Sequence, residues 1–261
     1  MARSPVLNVM VQAVMKAGRG MRRDFGEVEN LQVSAKGPGD FVTAADRKAE
    51  ETLFQELSRV RPGYGFLMEE RGVVEGTDPD HRWIVDPLDG TTNFLHGIPM
   101  FAISVGLERA GQLVAGVIFN PVTDELYTAE RGGGAFLNDR RLRVSGRRDI
   151  VDGVIACGVP HLGRPRHDLF REELSRVQGR VAGVRRFGAA SLDLAYVASG
   201  RLDGFWERDL KPWDIAAGLL LVKEAGGFAT DAEGQDAALA RGSVVAGNEQ
   251  IHGQLLKLVK G

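Results

Sequence analysis

Segment 83–94, WIVDPLDGTTNF, ends an apolar run with two aspartates three residues apart, Asp86 and Asp89, and the second leads into Gly90, Thr91 and Thr92. Carboxylates held together repel and resist joint ionisation, so something must compensate them. Other acids stand at comparable places: Asp46 closes DFVTAAD, Glu69 and Glu70 follow YGFLM, and Asp214 follows KPW. Each lies where a strand stops or a helix starts, from which side chains converge on a cleft. An all-oxygen carboxylate set suits a hard cation such as Mg²⁺, whereas zinc and copper favour His and Cys. The five histidines are scattered, with no His-x-x-x-His pair. A divalent cation would cancel the repulsion between Asp86 and Asp89. Gly90-Thr91-Thr92 reads as the start of a helical turn, whose N–H groups and hydroxyls bind phosphate oxygens. Carboxylates, a metal and an anion-binding turn are the parts of metal-assisted phosphoester hydrolysis. The chain has no P-loop pattern, which argues against a nucleoside triphosphatase.

Each acid also has a purely structural reading. Thr43-x-x-Asp46 matches a capping box, and Asp214 beside Pro212 sits where a helix dipole welcomes any acid. Glu69-Glu70 reads equally as a solvated loop, and Asp86-Pro87-Leu88-Asp89-Gly90 as a turn. The same character in four separate segments favours a shared site.

The elements that must position these residues follow from the patterning. Residues 5–23 read as an amphipathic helix with Ser4 as cap and Pro5 in its first turn. A second helix follows Thr43, with Ala45, Ala49, Leu53 and Leu57 on one face. Strand YGFLM ends at Glu69-Glu70, and strand RWIV ends at Asp86. A meander of antiparallel strands comes next: FAISVGLE, QLVAGVIFN, ELYTAE and, after the RGGG turn, AFLN. From about Val151 strands and helices alternate, as in an α/β layer arrangement. We divide the chain into an N-terminal α+β subdomain, 1–147, with the antiparallel sheet and most of the acids, and a C-terminal α/β subdomain, 148–261, with Asp214. The face Ile251, Leu255, Leu256, Val259 reads as core, and Arg140, Arg141, Arg143, Arg147 and Arg148 as a solvated edge strand.

Composition sets limits. The 261 residues are 43% hydrophobic and 26% charged, with 33 basic against 35 acidic residues and a net charge of −2. That balance argues against a surface built wholesale for nucleic acid or anionic membrane. The single cysteine, Cys157 in VIACGVP, excludes an intrachain disulfide and reads as a buried thiol. No apolar run reaches the ~18 residues of a membrane span. The N-terminal helix lacks a signal cleavage site, so a cytoplasmic protein is expected.

WIVDPLDGTTNFLHGIP resembles the first signature of the inositol monophosphatase family, and WDIAAGLLLVKEAGG the second. DFVTAAD and Glu69-Glu70 fall in the order that family uses, and RLDGFWERDLKPWDIAAG is most similar to its bacterial inositol-1-monophosphatase branch. The resemblance covers nearly the whole chain, with the strongest motifs between 41 and 227. It implies a layered α-β-α-β-α sandwich of the sugar-phosphatase type. It also implies a Mg²⁺-dependent, lithium-sensitive phosphomonoesterase, usually a homodimer, with two to three ions. By motif, Glu69, Asp86 and the Leu88 carbonyl would hold the first Mg²⁺, and Asp86, Asp89 and Asp214 the second. Glu69 would also reach a third. Asp46 and Thr91 would orient and deprotonate the attacking water, with Glu69 counted among the catalytic groups. Gly90 and Thr91 amides would bind phosphate, Glu207 the inositol hydroxyls, and Ala190 and Asp214 would border the substrate. Lys36 would fall in a loop before the first motif. The implied substrate is myo-inositol-1-phosphate; fructose 1,6-bisphosphate, 3′-phosphoadenosine nucleotides and NADP are those of the wider superfamily. Bacterial relatives are also implicated in RNA polymerase antitermination, for which Arg185, Arg186 or the 140–148 arginines would supply a surface.

Overall fold

The computed structural model describes residues 3–27, 33–37 and 40–261, with 33–37 and 40–42 described by backbone alone. Helix α1 (Pro5–Phe25) starts as its sequence demands: Ser4 Oγ accepts from the Leu7 amide, and Pro5 occupies the first turn. Its buried positions Leu7, Met10, Val14, Ala17 and Met21 recur at three- to four-residue spacing, so one stripe faces inward. Strands β1 (Val33–Gly37) and β2 (Asp40–Thr43) form a two-stranded antiparallel ribbon. Lys36 therefore lies on a strand and not in a loop, and its side chain is outside the described residues. Helix α2 (Ala44–Val60) opens with a complete capping box, Thr43 Oγ1 accepting from the Asp46 amide and Asp46 accepting from the Thr43 amide.

The larger sheet contains β3 (Tyr64–Met68), β4 (Gly72–Val74), β5 (Asp78–Asp89), β6 (Ala102–Arg109), β7 (Gln112–Asn120), β8 (Glu125–Glu130), β9 (Gly134–Leu137) and β10 (Arg140–Arg141), in the order β10-β9-β8-β7-β6-β5-β3-β4. The meander is antiparallel as expected. One pair departs from that pattern: β3 and β5 are parallel, so Glu69 and Asp86 leave the same end of neighbouring strands. Helix α3 (Thr91–Leu95) follows β5 directly. The arginine-rich β10 is the exposed edge.

The second sheet, β12-β11-β13-β15-β14, is mixed. It comprises β11 (Val154–Cys157), β12 (Gly183–Arg185), β13 (Gly204–Glu207), β14 (Phe228–Thr230) and β15 (Val244–Gly247). Between these strands run α4 (His167–Gln178), α5 (Ala190–Ala198), α6 (Pro212–Glu224) and α7 (Ala238–Arg241), and α8 (Glu249–Lys260) ends the chain. Helices α1 and α2 pack on one face of the larger sheet and α5 and α6 on the other. The smaller sheet lies beyond α5 and α6, and α4 and α8 cover its far face. The result is the five-layer α-β-α-β-α sandwich. The middle core joins Ala102, Ile118 and Tyr127 of the larger sheet to Leu194, Leu221 and Phe205 of the second half. Close approach of α6 requires glycine beneath it. A Cβ on Gly106 would stand 3.0 Å from the Ala216 Cβ, and one on Gly116 would stand 3.0 Å from the Ala217 Cα. Cys157 is buried, and burial pushes its thiol up to about 12.

Candidate active site

In a regular strand side chains alternate, so residues three apart point to opposite faces. The strand was expected to stop at Asp86, but β5 continues to Asp89 through an irregularity that gives both aspartates one facing. Asp86 is paired with Ser104 and Asp89 with Ala102, three steps on β5 against two on β6. The extra residue is a bulge. Pro87 needs no ladder donor there, and the Leu88 amide turns back to Asp86 Oδ1 at 2.9 Å. Ser104, the register partner of Asp86, hydrogen-bonds through Oγ to the Trp213 carbonyl at 3.3 Å, which brings the head of α6 and Asp214 to the same place.

Gly90 then reverses the chain. Its φ of +94° is left-handed, and a Cβ there would lie 2.8 Å from the Met100 carbonyl oxygen. A side chain is therefore excluded on two grounds. Helix α3 is anchored by Phe25, Phe94 and Phe101, whose ring centroids lie 4.9–5.5 Å apart. Asn93 Nδ2 donates to the carbonyls of Met100 and Phe187, both at 2.7 Å, tying α3 to the approach to α5. Thr91 Oγ1 lies 3.2 Å from Asp46 Oδ1 and 3.1 Å from the Leu88 carbonyl. It has one proton to give, so it serves one of them at a time and keeps lone pairs for a third group. Asp46 combines both of its readings: Oδ2 caps α2 through Thr43, and Oδ1 faces Thr91. Asp214 does the same, its Oδ2 accepting from the Lys211 amide at 2.8 Å while its side chain lines the cleft.

Glu69, Asp86, Asp89, Asp214 and Glu207 line one cleft of about 170 Å³ together with Leu88, Gly90, Thr91 and Ala190. Asp46 is fully buried behind Thr91. Every proposed site residue is thus brought to one place. A larger cavity of about 760 Å³ flanks α6 elsewhere and contains none of these acids, and the cations Arg82 and Lys223 on its wall pair with Glu108 and Asp236.

Burial dominates the electrostatics and like charge adds to it. Burial holds Asp86 well above the carboxylate range, helped by Glu69, Asp89 and Asp214. Asp214 is raised to about 7 by burial and then by Asp89. Asp89 is raised to about 6 by burial, although the Ser191 hydroxyl and amide pull it back. Asp46 is raised to about 6, burial again outweighing the Thr43 bonds. Burial lifts Glu207 to about 8 against the opposing charge of Arg164. Among the described residues, no three His, Cys, Asp or Glu side chains are already closed into a metal cage. The acids share a cleft and repel, and a hard divalent cation is the ligand that this donor set fits.

Sequence reading missed Ser191, which fixes Asp89, and Asp193, a buried acid whose two oxygens have no hydrogen-bond partner. The cleft wall also includes Gly158 and Arg164, within the segment GVPHLGRPR that the resemblance assigns to the substrate pocket, and Arg186, which the sequence offered only as a surface arginine. The available signal was GAASLD itself, a serine and an aspartate opening a helix whose other buried positions are apolar.

Comparison with known proteins identifies the family and the fold. The inositol monophosphatase family model matches residues 2–261. The chain is 70% identical over 260 residues to an inositol-1-monophosphatase of Mesorhizobium japonicum, covering 100% of this chain and 98% of that one. It is 43% identical over 260 residues to the Nus factor SuhB of Pseudomonas aeruginosa, covering 98% and 96%. The crystal structure of the extragenic suppressor protein suhB from Bartonella henselae superposes with a TM-score of 0.96 at 61% identity, covering 98% of this chain and 99% of that one. The chain belongs to the inositol monophosphatase family of phosphatases.

Proposed function

We propose that this protein is a Mg²⁺-dependent phosphomonoesterase that hydrolyses myo-inositol-1-phosphate and related polyol phosphates. The observation that carries this reading is the convergence of Glu69, Asp86, Asp89 and Asp214 beside the Gly90-Thr91 turn in one cleft. Glu69, Asp86 and the Leu88 carbonyl would hold one Mg²⁺, Asp86, Asp89 and Asp214 a second, and Glu69 would reach a third. When bound, the metal neutralises the phosphate and lowers the pKa of water. The amides of Gly90 and Thr91, at the head of α3 where intrahelical acceptors are lacking, take phosphate oxygens. Thr91 Oγ1 donates to Asp46 and accepts from the attacking water, whose oxygen bonds to phosphorus as the P–O bond to the polyol breaks, with no phosphoenzyme, and the departing polyol oxygen takes a proton from solvent. A carboxyl raised to about 6 is matched to receiving that proton near neutral pH. Glu207 accepts polyol hydroxyls and disfavours a second phosphate, and the small Ala190 leaves room for the ring.

Release of inorganic phosphate from myo-inositol-1-phosphate, with and without Mg²⁺, tests this for the wild type and Asp89→Asn. Mg²⁺-dependent turnover lost by orders of magnitude in the folded variant is expected; undiminished turnover would remove Asp89 from the site. Specificity constants for fructose 1,6-bisphosphate and a 3′-phosphoadenosine nucleotide complete the test, and a nucleotide preference would sink the role given to Glu207. The same reading makes the enzyme a lithium-sensitive, cytoplasmic homodimer whose 1–147 and 148–261 portions meet at the cleft.

A second reading rests on the Nus factor relative and on Arg185 and Arg186, both exposed, with Arg186 on the cleft wall. It gives the protein a surface for RNA polymerase or antitermination factors. Capture of purified polymerase, abolished by charge reversal of both arginines, is its test.

A further inference from the structure

Gly158 and Glu207 stand at the ends of adjacent parallel strands. Cys157 is in register with Trp206, and the Gly158 amide continues the ladder by donating to the Trp206 carbonyl at 3.2 Å. Neighbours on a parallel pair project side chains in the same direction, and each normally occupies the space above its own backbone. Here one side chain takes both spaces. A Cβ built on Gly158 would lie 1.7 Å from the Glu207 Cδ and 2.0 and 2.2 Å from its two oxygens. The carboxylate has crossed onto the neighbouring strand and rests in the notch that the glycine leaves. Gly158 carries no left-handed backbone angle, so turn geometry does not require glycine here.

We infer that Gly158 is a specificity-determining position: its missing side chain forms the notch that aims the Glu207 carboxylate at the hydroxyls of a polyol phosphate. This rests on the role proposed above for Glu207. The notch is walled on the cleft side by Arg164, whose guanidinium is fixed by His161 Nε2 at 3.1 Å and by the Asp209 carbonyl. The charge of Arg164 partly offsets the burial that raises the Glu207 carboxyl. The atoms nearest a methyl group at 158 are the end of a flexible side chain, so the cheap response is for Glu207 to swing away while the strand stays. The chemistry selected is that of a compact ring with adjacent hydroxyls. A bulkier residue at 158 would turn the carboxylate out and open the wall to substrates without them.

A double-mutant cycle on the full-length protein with Mg²⁺ and myo-inositol-1-phosphate tests this: wild type, Gly158→Ala, Glu207→Ala and the double variant. Loss of a charged hydrogen bond predicts that Gly158→Ala lowers kcat/KM by about ten- to hundredfold, chiefly through KM. In the Glu207→Ala background the same change should move kcat/KM by less than about twofold, because nothing remains to displace. Losses that multiply, or a Gly158→Ala enzyme with wild-type KM, would overturn the inference while leaving the role of Glu207 standing. A Glu207→Ala enzyme as efficient as wild type, or a wild type inactive on this ester, would instead remove the proposed function and this inference with it.

Discussion

Asp214→Asn should stabilise the metal-free protein. Asp214 is held near pKa 7, against 3.8 for an unperturbed aspartate, by burial and then by Asp89. Between these values the folded chain binds the proton that the unfolded chain has released. Stability therefore falls as pH rises from about 4 and levels off above 7. At 1.36 kcal/mol per pH unit, the full difference is about 4 kcal/mol at pH 8. Water reaches the cleft and Asp89 shares the repulsion, so about 2 kcal/mol is the realistic gain on removing the charge. Asparagine is isosteric and still accepts from the Lys211 amide, so the cap on α6 survives. For a chain of this length, about 2 kcal/mol corresponds to a Tm rise of roughly 4–8 °C. The assay is thermal unfolding followed by circular dichroism in chelator, at pH 8 and pH 4. The variant should melt higher at pH 8, melt with the wild type near pH 4, and melt lower than the wild type in saturating Mg²⁺. A variant no more stable than wild type at pH 8 in chelator would refute the claim that the acids repel one another in the folded state.

Thr91→Ala should cut kcat by about 10²–10⁴ with little change in the Mg²⁺-induced Tm shift, whereas Thr91→Ser keeps most activity; steady-state kinetics beside calorimetry separate the two. Gly90→Ala forces a methyl group into a left-handed residue against the Met100 carbonyl and should cost about 1–3 kcal/mol by urea unfolding. Ser191→Ala removes the hydroxyl that lowers Asp89, so the acid limb of the kcat/KM profile should move to higher pH. Gly116→Val, remote from the cleft, drives α6 off the sheet and should lower both stability, by about 1–3 kcal/mol, and activity; a stable, fully active variant would show that α6 does not need this contact.

The site's acids were legible because, although each alone reads as a cap, turn or loop, acids recur at strand stops and helix starts in four separate segments. Helical stripes, the meander and the later strand–helix alternation made an α+β half and an α/β half legible, while the five-layer sandwich followed from the family resemblance. What could not be read was the alignment. A three-residue spacing in a strand separates Asp86 from Asp89, and only the bulge revealed by register with β6 brings them together. The parallel pairing of β3 with β5 was equally hidden, since the short connection between them suggests a hairpin and β4 fills that place instead. Asp46 and Asp214 show a different limit. Their capping and site readings looked like rivals, yet a carboxylate has two oxygens and each residue uses both faces. The resemblance assigned the segment beginning at Gly158 to the pocket, but the notch itself was not legible, because it exists only once a neighbouring strand supplies the side chain that fills it.

Helix α6 lies between two sheets, touching β5 to β9 on one side and β14 on the other, and carries Asp214 at its tip. With every residue from Ile215 to Val222 buried, it has no solvent face along which to fray. Its amides should exchange with deuterium only when the whole molecule opens, while those of α3, five residues long, exchange through local openings. The site is thus hinged on one side and fixed on the other: the Gly90–Thr91 turn can breathe around a carboxylate that is as immobile as the core itself.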